Sequence, residues 1–233
     1  PLEYHASKLI EKFTGQHFDR QHLTLPAYRQ IKEYLNTNFF FISPKEDYRL
    51  DTILEKARFL VRRRGIKCLV IDPYNRLEDE SDGHNETKYI SKQLDRLTNF
   101  AQRNDVMVIL MAHPTKQSKN KDGVIEAPTL YDISGSAHFY NKTDFGIVVH
   151  RNRIDNTVEV HVQKVKFRHL GECGTALFKY NLNNGRYSPY TAGVEPVWDN
   201  SNHLQEEMNR RAKEAEEAAV FDFTAQPLDE CPF

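Results

Sequence analysis

The chain of 233 residues is poor in cysteine, in long apolar runs and in net charge, and each shortage excludes a class of protein. Its three cysteines lie far apart without a C-x-x-C motif, so we expect no disulfide framework or zinc site, and a reducing cytoplasm fits best. No apolar run approaches the roughly 20 residues of a membrane-spanning helix, so we expect no membrane partner. Because the formal net charge is -1, a nucleic-acid surface would have to come from local basic clusters.

A glycine-rich phosphate loop is missing as well, because no glycine in the sequence is followed by lysine. The G-x-S-x-G motif of serine hydrolases and the paired-histidine spacing of metal hydrolases are also absent, which argues against both classes of enzyme.

Two apolar runs each end on a polar residue that can take part in chemistry. Residues 68–71 end on Asp72, and residues 106–112 end on His113. Neither run alternates with polar residues, so each predicts a strand buried on both faces of a parallel sheet. Ligands of such sheets bind at the carboxyl ends of the strands. Asp72 is therefore a candidate for holding Mg²⁺ against nucleotide phosphates and His113 for sensing a phosphate, although either residue could simply cap a loop.

The remaining pattern predicts an α/β fold with a mainly parallel sheet followed by antiparallel strands. Helices are predicted at 3–13, 26–35, 50–64 and 86–104, and a further strand at 38–42. Later strands at 145–150, 157–166 and 175–180 are joined by short turns, and Asn183-Asn184-Gly185 is typical of a hairpin. We expect a core over residues 1–190, a linker over 191–202, a charged helix over 203–220 and a disordered acidic tail over 221–233.

Two more stretches suggest contact with a ligand. Ser134, Gly135 and Ser136 are small residues that let a backbone approach a ligand closely, or else form a helix-capping turn. Lys166 and Arg168 stand two apart at a predicted strand end, so they would project from one face. That pair suits phosphate contact, and the alternative is a solvated basic edge that deters sheet aggregation.

The order of these motifs resembles the hexameric replicative helicases of the DnaB type, and most of all their Twinkle and phage helicase-primase branch. Five stretches carry the resemblance: a Walker B motif at 69–73, a sensor strand at 111–116, a small-residue motif at 132–137, a strand end at 149–152 and a finger stretch at 166–171.

The resemblance implies a RecA-like three-layer ATPase core that uses ATP and Mg²⁺ and works as a homohexameric ring. Asp72 would be the magnesium-side acid, and His113 would couple the phosphate state to the DNA loop behind it. Arg151 would flank the adenine, while Arg168, assisted by Lys166, would reach the γ-phosphate bound to the neighbouring subunit.

The resemblance also implies single-stranded DNA as a partner, contacted by three loops in the channel of the ring. These loops would contain Asn75 and Arg76, then Lys116, Lys119 and Lys121, and finally Arg153 to Asn156, with Ser134, Gly135 and Ser136 leading towards the DNA. An isolated lysine-rich loop is more often simply solvated, and only its position after the sensor histidine favours DNA.

The acidic end of the chain closes on Pro232 and Phe233. It is similar to the tip of bacterial single-strand-binding proteins, which docks an aromatic side chain and a carboxylate into a basic pocket on replication partners. The alternative is an unselected disordered end.

The departures from the family pattern concern the phosphate loop and its strand, which are absent, and the catalytic glutamate. We expect that the chain begins a few residues after that glutamate, as the C-terminal part of a primase-helicase from a phage or mobile element, and is inactive alone. One rival interpretation is another RecA-class ATPase, such as a recombinase. A second is a non-catalytic subunit without a phosphate loop that binds DNA or partners.

Overall fold

The computed structural model describes residues 2–19, 21–44, 46–77, 86–115, 125–133 and 136–223. The helices are α1 (Leu2–Thr14), α2 (Leu25–Asn38), α3 (Leu50–Arg64), α4 (Glu86–Asn104), α5 (Ser136–Lys142) and α6 (His203–Phe223). The strands are β1 (Cys68–Ile71), β2 (Met107–Leu110), β3 (Phe145–Arg151), β4 (Thr157–Val165), β5 (Gly174–Tyr180) and β6 (Tyr187–Pro189). Among these residues no helix is both long and apolar enough to cross a membrane.

The chain divides into two compact units. The first unit comprises Pro1–Asn36, Tyr180–Ser188 and Val197–Phe233, and the second comprises Thr37–Lys179 and Pro189–Pro196.

The strands form two sheets. In one, β1 and β2 run parallel with Ile71 opposite Leu110, and in the other the order is β3-β4-β5-β6 with antiparallel pairing. The α/β class and the antiparallel strands after residue 145 are therefore confirmed. The expectation of a mainly parallel sheet is wrong for the residues described, because β1 and β2 are their one parallel pair.

Helices α3 and α4 fall where the sequence predicts them. Gly65 ends α3 in the left-handed conformation, at φ 65, and its N–H donates to the carbonyl of Val61. The predicted face of α4 is buried against α3 and the sheet in a cluster that contains Ile90, Leu94, Leu97, Phe100, Leu54, Ala57, Leu69 and Ile71. The 3.6-residue period of the apolar side chains thus selects the buried face correctly.

The prediction that β1 and β2 are buried on both faces is wrong. Leu69 and Ile71 point into the core, but Val70 is 56% exposed and Met107 is 63% exposed. The core residues of α3 and α4 cover one face, and no described element buries the other. An unbroken apolar run shows that both faces are apolar, but it does not show what covers them.

The strand predicted at 38–42 does not form. Asn38 is the last residue of α2, and residues 39–44 belong to neither sheet. Ile42 still packs against the core cluster, so the apolar character of this stretch reflects burial rather than strand pairing.

Gly146 marks a bulge in β3, where the pairing register with β4 shifts between Gly146 and Ile147. A Cβ added at Gly146 would lie 2.2 Å from Cδ1 of Leu130, whose side chain is buried. The close approach of Leu130 to this backbone is therefore the reason for glycine at this position.

We predict that Gly146→Ala lowers the free energy of unfolding by about 1–3 kcal/mol, because the new methyl group overpacks Leu130. Urea unfolding followed by circular dichroism measures the change. Gly174→Ala in β5 is the matched control, since nothing lies within 4 Å of its added Cβ, and it should change stability by less than about 0.5 kcal/mol. If the changes in the free energy of unfolding caused by Gly146→Ala and Leu130→Ala simply add in the double variant, this explanation fails.

The first unit is held together by Arg186 and Asn184, which follow the end of β5. The guanidinium of Arg186 is 10% exposed and donates to the carbonyls of Lys12, Phe13, Asp199 and Ser201. Asn184 is fully buried, and its amide donates to the carbonyls of Gly15 and Asp199. The predicted turn at 183–185 is confirmed, and Arg186 directly after it satisfies the carbonyls of Lys12 and Phe13 at the end of α1.

We predict that Arg186→Ala destabilises the first unit by about 2–4 kcal/mol, because it leaves several backbone carbonyls without donors. Arg186→Lys should recover little of this, since an ammonium group cannot span the same carbonyls. Urea unfolding followed by the helical circular dichroism signal provides the measurement. Arg210→Ala serves as the control, because Arg210 makes only exposed pairs with Glu207 and Glu214 on α6 and should cost less than about 0.5 kcal/mol.

Candidate functional site

The carboxyl ends of β1 and β2 continue as a paired structure beyond the strands themselves. The N–H of Met111 donates to the carbonyl of Ile71 at 2.9 Å, and the N–H of Tyr74 donates to the carbonyl of Met111 at 2.7 Å. The N–H of His113 then donates to Oδ1 of Asn75 at 3.0 Å. As predicted, Asp72 and His113 lie at the same edge of one sheet.

The side chains of Asp72 and His113 are exposed, and neither has a hydrogen bond or ion pair with another described residue. Nor do His, Cys, Asp and Glu side chains come together in groups of three or more within the described ranges. Among the described residues, Asp72 therefore offers one exposed carboxylate without a partner. That suits Mg²⁺, which is often held by one or two carboxylates together with substrate phosphates and water.

Asn75 and Arg76, both predicted to contact DNA, lie in a short 3-10 helix, Tyr74–Arg76. The Asn75 side chain is already used within the chain by its bond to His113. Tyr74 packs edge-on against the buried ring of Phe139, with ring centroids 5.1 Å apart. The side chain of Arg76 is exposed. Sequence reasoning missed the role of Asn75, because its partner is 38 residues away in the chain.

Several predicted contacts fall outside the described residues: Lys116, Lys119, Lys121, Ser134, Gly135, Pro232 and Phe233. Ser136 begins α5. The described residues before Lys116 and before Ser134 are joined by a backbone bond, because the N–H of Thr115 donates to the carbonyl of Asp132 at 2.6 Å.

Gln163 on β4 positions the segment that leads to the small-residue motif. Its Oε1 accepts from the N–H of Leu130 at 2.9 Å, and its Nε2 donates to the carbonyl of Pro128 at 2.9 Å. Thr129 and Asp132 form a capping box around the 3-10 helix Leu130–Asp132. A glutamine inside a strand gave no sequence signal of this role, since its partners lie in another part of the chain.

Arg151 and Arg153 lie at and beyond the end of β3. The guanidinium of Arg151 donates to Oδ1 of Asn156 at 2.9 Å across the turn into β4, and Arg153 is exposed in that turn. The Thr157 hydroxyl donates to Asp155 and lowers the pKa of that carboxyl. The turn thus carries an ionised carboxylate at Asp155 as well as the exposed Arg153.

The prediction that Lys166 and Arg168 project together from a strand end is wrong. β4 ends at Val165, and Arg168 begins a 3-10 helix, Arg168–Leu170, so the two-residue period of the strand no longer applies. Lys166 forms an ion pair with Asp144 at 2.7 Å, and its N–H donates to the Asp144 carbonyl. Arg168 is exposed and has no hydrogen bond or ion pair with the described residues. Of the two cations, Arg168 is the one available to a ligand.

A concave surface lies elsewhere, between α3 and α4. It has a volume of about 640 Å³ and contains Arg58, Arg62, Arg96 and Arg103. At the sheet edge the candidate residues are open to solvent instead. That arrangement fits a site that is completed by other groups.

Comparison with known proteins gives a consistent assignment. Residues 10–188 match the family described as DnaB-like helicase C terminal domain. The chain is 40% identical over 207 residues to the Twinkle homolog protein, chloroplastic/mitochondrial, of Arabidopsis thaliana, which covers 82% of this chain and 29% of that protein. It is also 27% identical over 152 residues to the DNA helicase/primase of Enterobacteria phage T3, which covers 61% of this chain and 26% of that protein.

The chain therefore spans less than a third of the length of either relative. The family match, by contrast, extends from α1 to β6 and includes both sheets and every motif of the sheet edge. The resemblance stated from the sequence is confirmed, and the chain belongs to the DnaB-like helicase C-terminal domain family.

Proposed function

We propose that the whole protein is a replicative DNA helicase, in which this chain forms part of a RecA-like ATPase core. The observation that carries the proposal is the paired edge of β1 and β2. It brings the exposed side chains of Asp72 and His113 to the same edge of one sheet, within a chain of this family. ATP would drive a ring of identical subunits along single-stranded DNA.

ATP and Mg²⁺ fit the residues that are present. Asp72 has no partner among the described side chains, so it can serve as a ligand of Mg²⁺, which neutralises charge on the phosphates when bound. Arg168, likewise unpaired, is suited to stabilising phosphate charge at a neighbouring subunit. Lys166 would assist only if its pair with Asp144 opens or is shared. Arg151, held by Asn156, would flank the adenine.

Replacing Asp72 should lower ATP hydrolysis without disturbing the fold, because its side chain is exposed. In the whole protein, Asp72→Asn should lower ATP turnover by about 100-fold, because the carboxylate ligand of Mg²⁺ is gone, and should abolish unwinding of forked DNA. Steady-state turnover and strand displacement are the measurements. Asp105→Asn is the matched control: Asp105 precedes β2 at the opposite edge of the same sheet and makes an exposed pair with Lys67.

The outcomes of this experiment distinguish the rival interpretations. ATP hydrolysis without strand displacement would favour another RecA-class ATPase. No ATP hydrolysis by the wild-type protein would favour a non-catalytic subunit. Equal activity of the Asp72→Asn and Asp105→Asn variants would reject the role proposed for Asp72.

The lysines after His113 are proposed to contact the DNA backbone. Replacing Lys116, Lys119 and Lys121 with Ala in the whole protein should weaken single-strand binding. It should also reduce the slope of log affinity against log salt by up to about 2, since each phosphate contact on a single strand contributes about 0.7. Fluorescence anisotropy across a salt series measures both effects. The control replaces Lys32, Lys56 and Lys213, three exposed lysines on α2, α3 and α6, and an equal loss in both variants would reject the assignment.

A further inference from the structure

We propose that Asn75 is a positioning residue for His113, through which the loop after β1 controls the sensor histidine. The proposal rests on the helicase function proposed above and gives Asn75 a role other than DNA contact. Its basis is the bond of 3.0 Å from the His113 N–H to Oδ1 of Asn75.

The bond between His113 and Asn75 follows directly after the last backbone hydrogen bond between the two segments. Up to Met111 the segments that follow β1 and β2 are joined by backbone bonds. The N–H of Met111 donates to the carbonyl of Ile71, and the carbonyl of Met111 accepts from the N–H of Tyr74. The next partner of the sensor segment is a side chain, so the position of the His113 backbone depends on the identity of residue 75. An amide or carboxylate oxygen can accept this bond, whereas alanine cannot.

The loop itself is anchored through the side chain of Tyr74. Tyr74 packs edge-on against Phe139 of α5, the helix that follows the small-residue motif. On the other side of His113, the N–H of Thr115 donates to the carbonyl of Asp132, the first residue of that motif. The histidine thus lies between two tethers, and both lead to segments proposed to approach DNA. A displacement of the loop by DNA would be transmitted to His113 through Asn75.

The first test measures the bond without any assumption about function. In this chain, hydrogen exchange of the His113 amide, followed by nuclear magnetic resonance, should accelerate about fivefold in Asn75→Ala. This is the factor that corresponds to losing one hydrogen bond of about 1 kcal/mol. Asn75→Asp keeps an acceptor oxygen and should retain the wild-type rate. Arg76→Ala, the adjacent residue in the same 3-10 helix, should also retain it. Unchanged exchange in Asn75→Ala would overturn the proposal.

The second test uses the whole protein and separates positioning from DNA contact. At saturating single-stranded DNA, Asn75→Ala should still show an ATP turnover at least about fivefold below wild type, and Asn75→Asp should restore most of it. If turnover returns to the wild-type value once DNA is saturating, Asn75 is a DNA contact and the positioning role is rejected.

The two tests fail in different ways. Faster exchange at His113 in a protein without ATPase activity would reject the proposed function and leave the bond established. Normal exchange together with impaired turnover would reject Asn75 as the positioning residue and leave the helicase proposal intact.

Discussion

The parallel pairing of β1 with β2 is the interaction on which the candidate site depends. It sets Ile71 opposite Leu110, so the polar residues that follow each strand emerge at the same edge. The side-chain period of a strand is two, and a slip of one residue would turn Leu69 and Ile71 away from the core formed with α3 and α4. The burial of these two residues therefore fixes the register, and the register fixes the relation of Asp72 to His113.

A second set of contacts holds the chain between β2 and β3. β4 supplies these contacts, with Gln163 on the backbone at 128–130 and Lys164 donating to the carbonyls of Tyr140 and Asn141 near the end of α5. Just beyond β4, Lys166 pairs with Asp144. The three residues that make these contacts, Gln163, Lys164 and Lys166, lie within four positions of the chain. A short stretch around the end of β4 thus holds the described residues on both sides of the small-residue motif, at 128–130 and at 140–144.

The sequence predicted those elements whose cause is local. The period of apolar residues in α4 and the glycine after α3 are contained within the elements they define, and both helices have the predicted bounds. Burial of the second sheet face, pairing of residues 38–42 and the extent of β4 towards Arg168 all depend on neighbours, and all three predictions were wrong. Asn75, Gln163 and Arg186 bond to backbone groups far away in the chain, so no local pattern could reveal their roles.

The contact between Asn75 and His113 is exposed and consists of one neutral hydrogen bond, so its net contribution is about 1 kcal/mol. A contact of that size biases a local equilibrium without locking it. By contrast, Arg186 is only partly exposed and bonds to several carbonyls at once, which suits a permanent structural contact. A segment that must respond to both nucleotide and DNA needs the weaker kind of link, because the free energy available for coupling two sites is itself only about 1–3 kcal/mol. The weakness of the Asn75 bond is therefore compatible with a switching role.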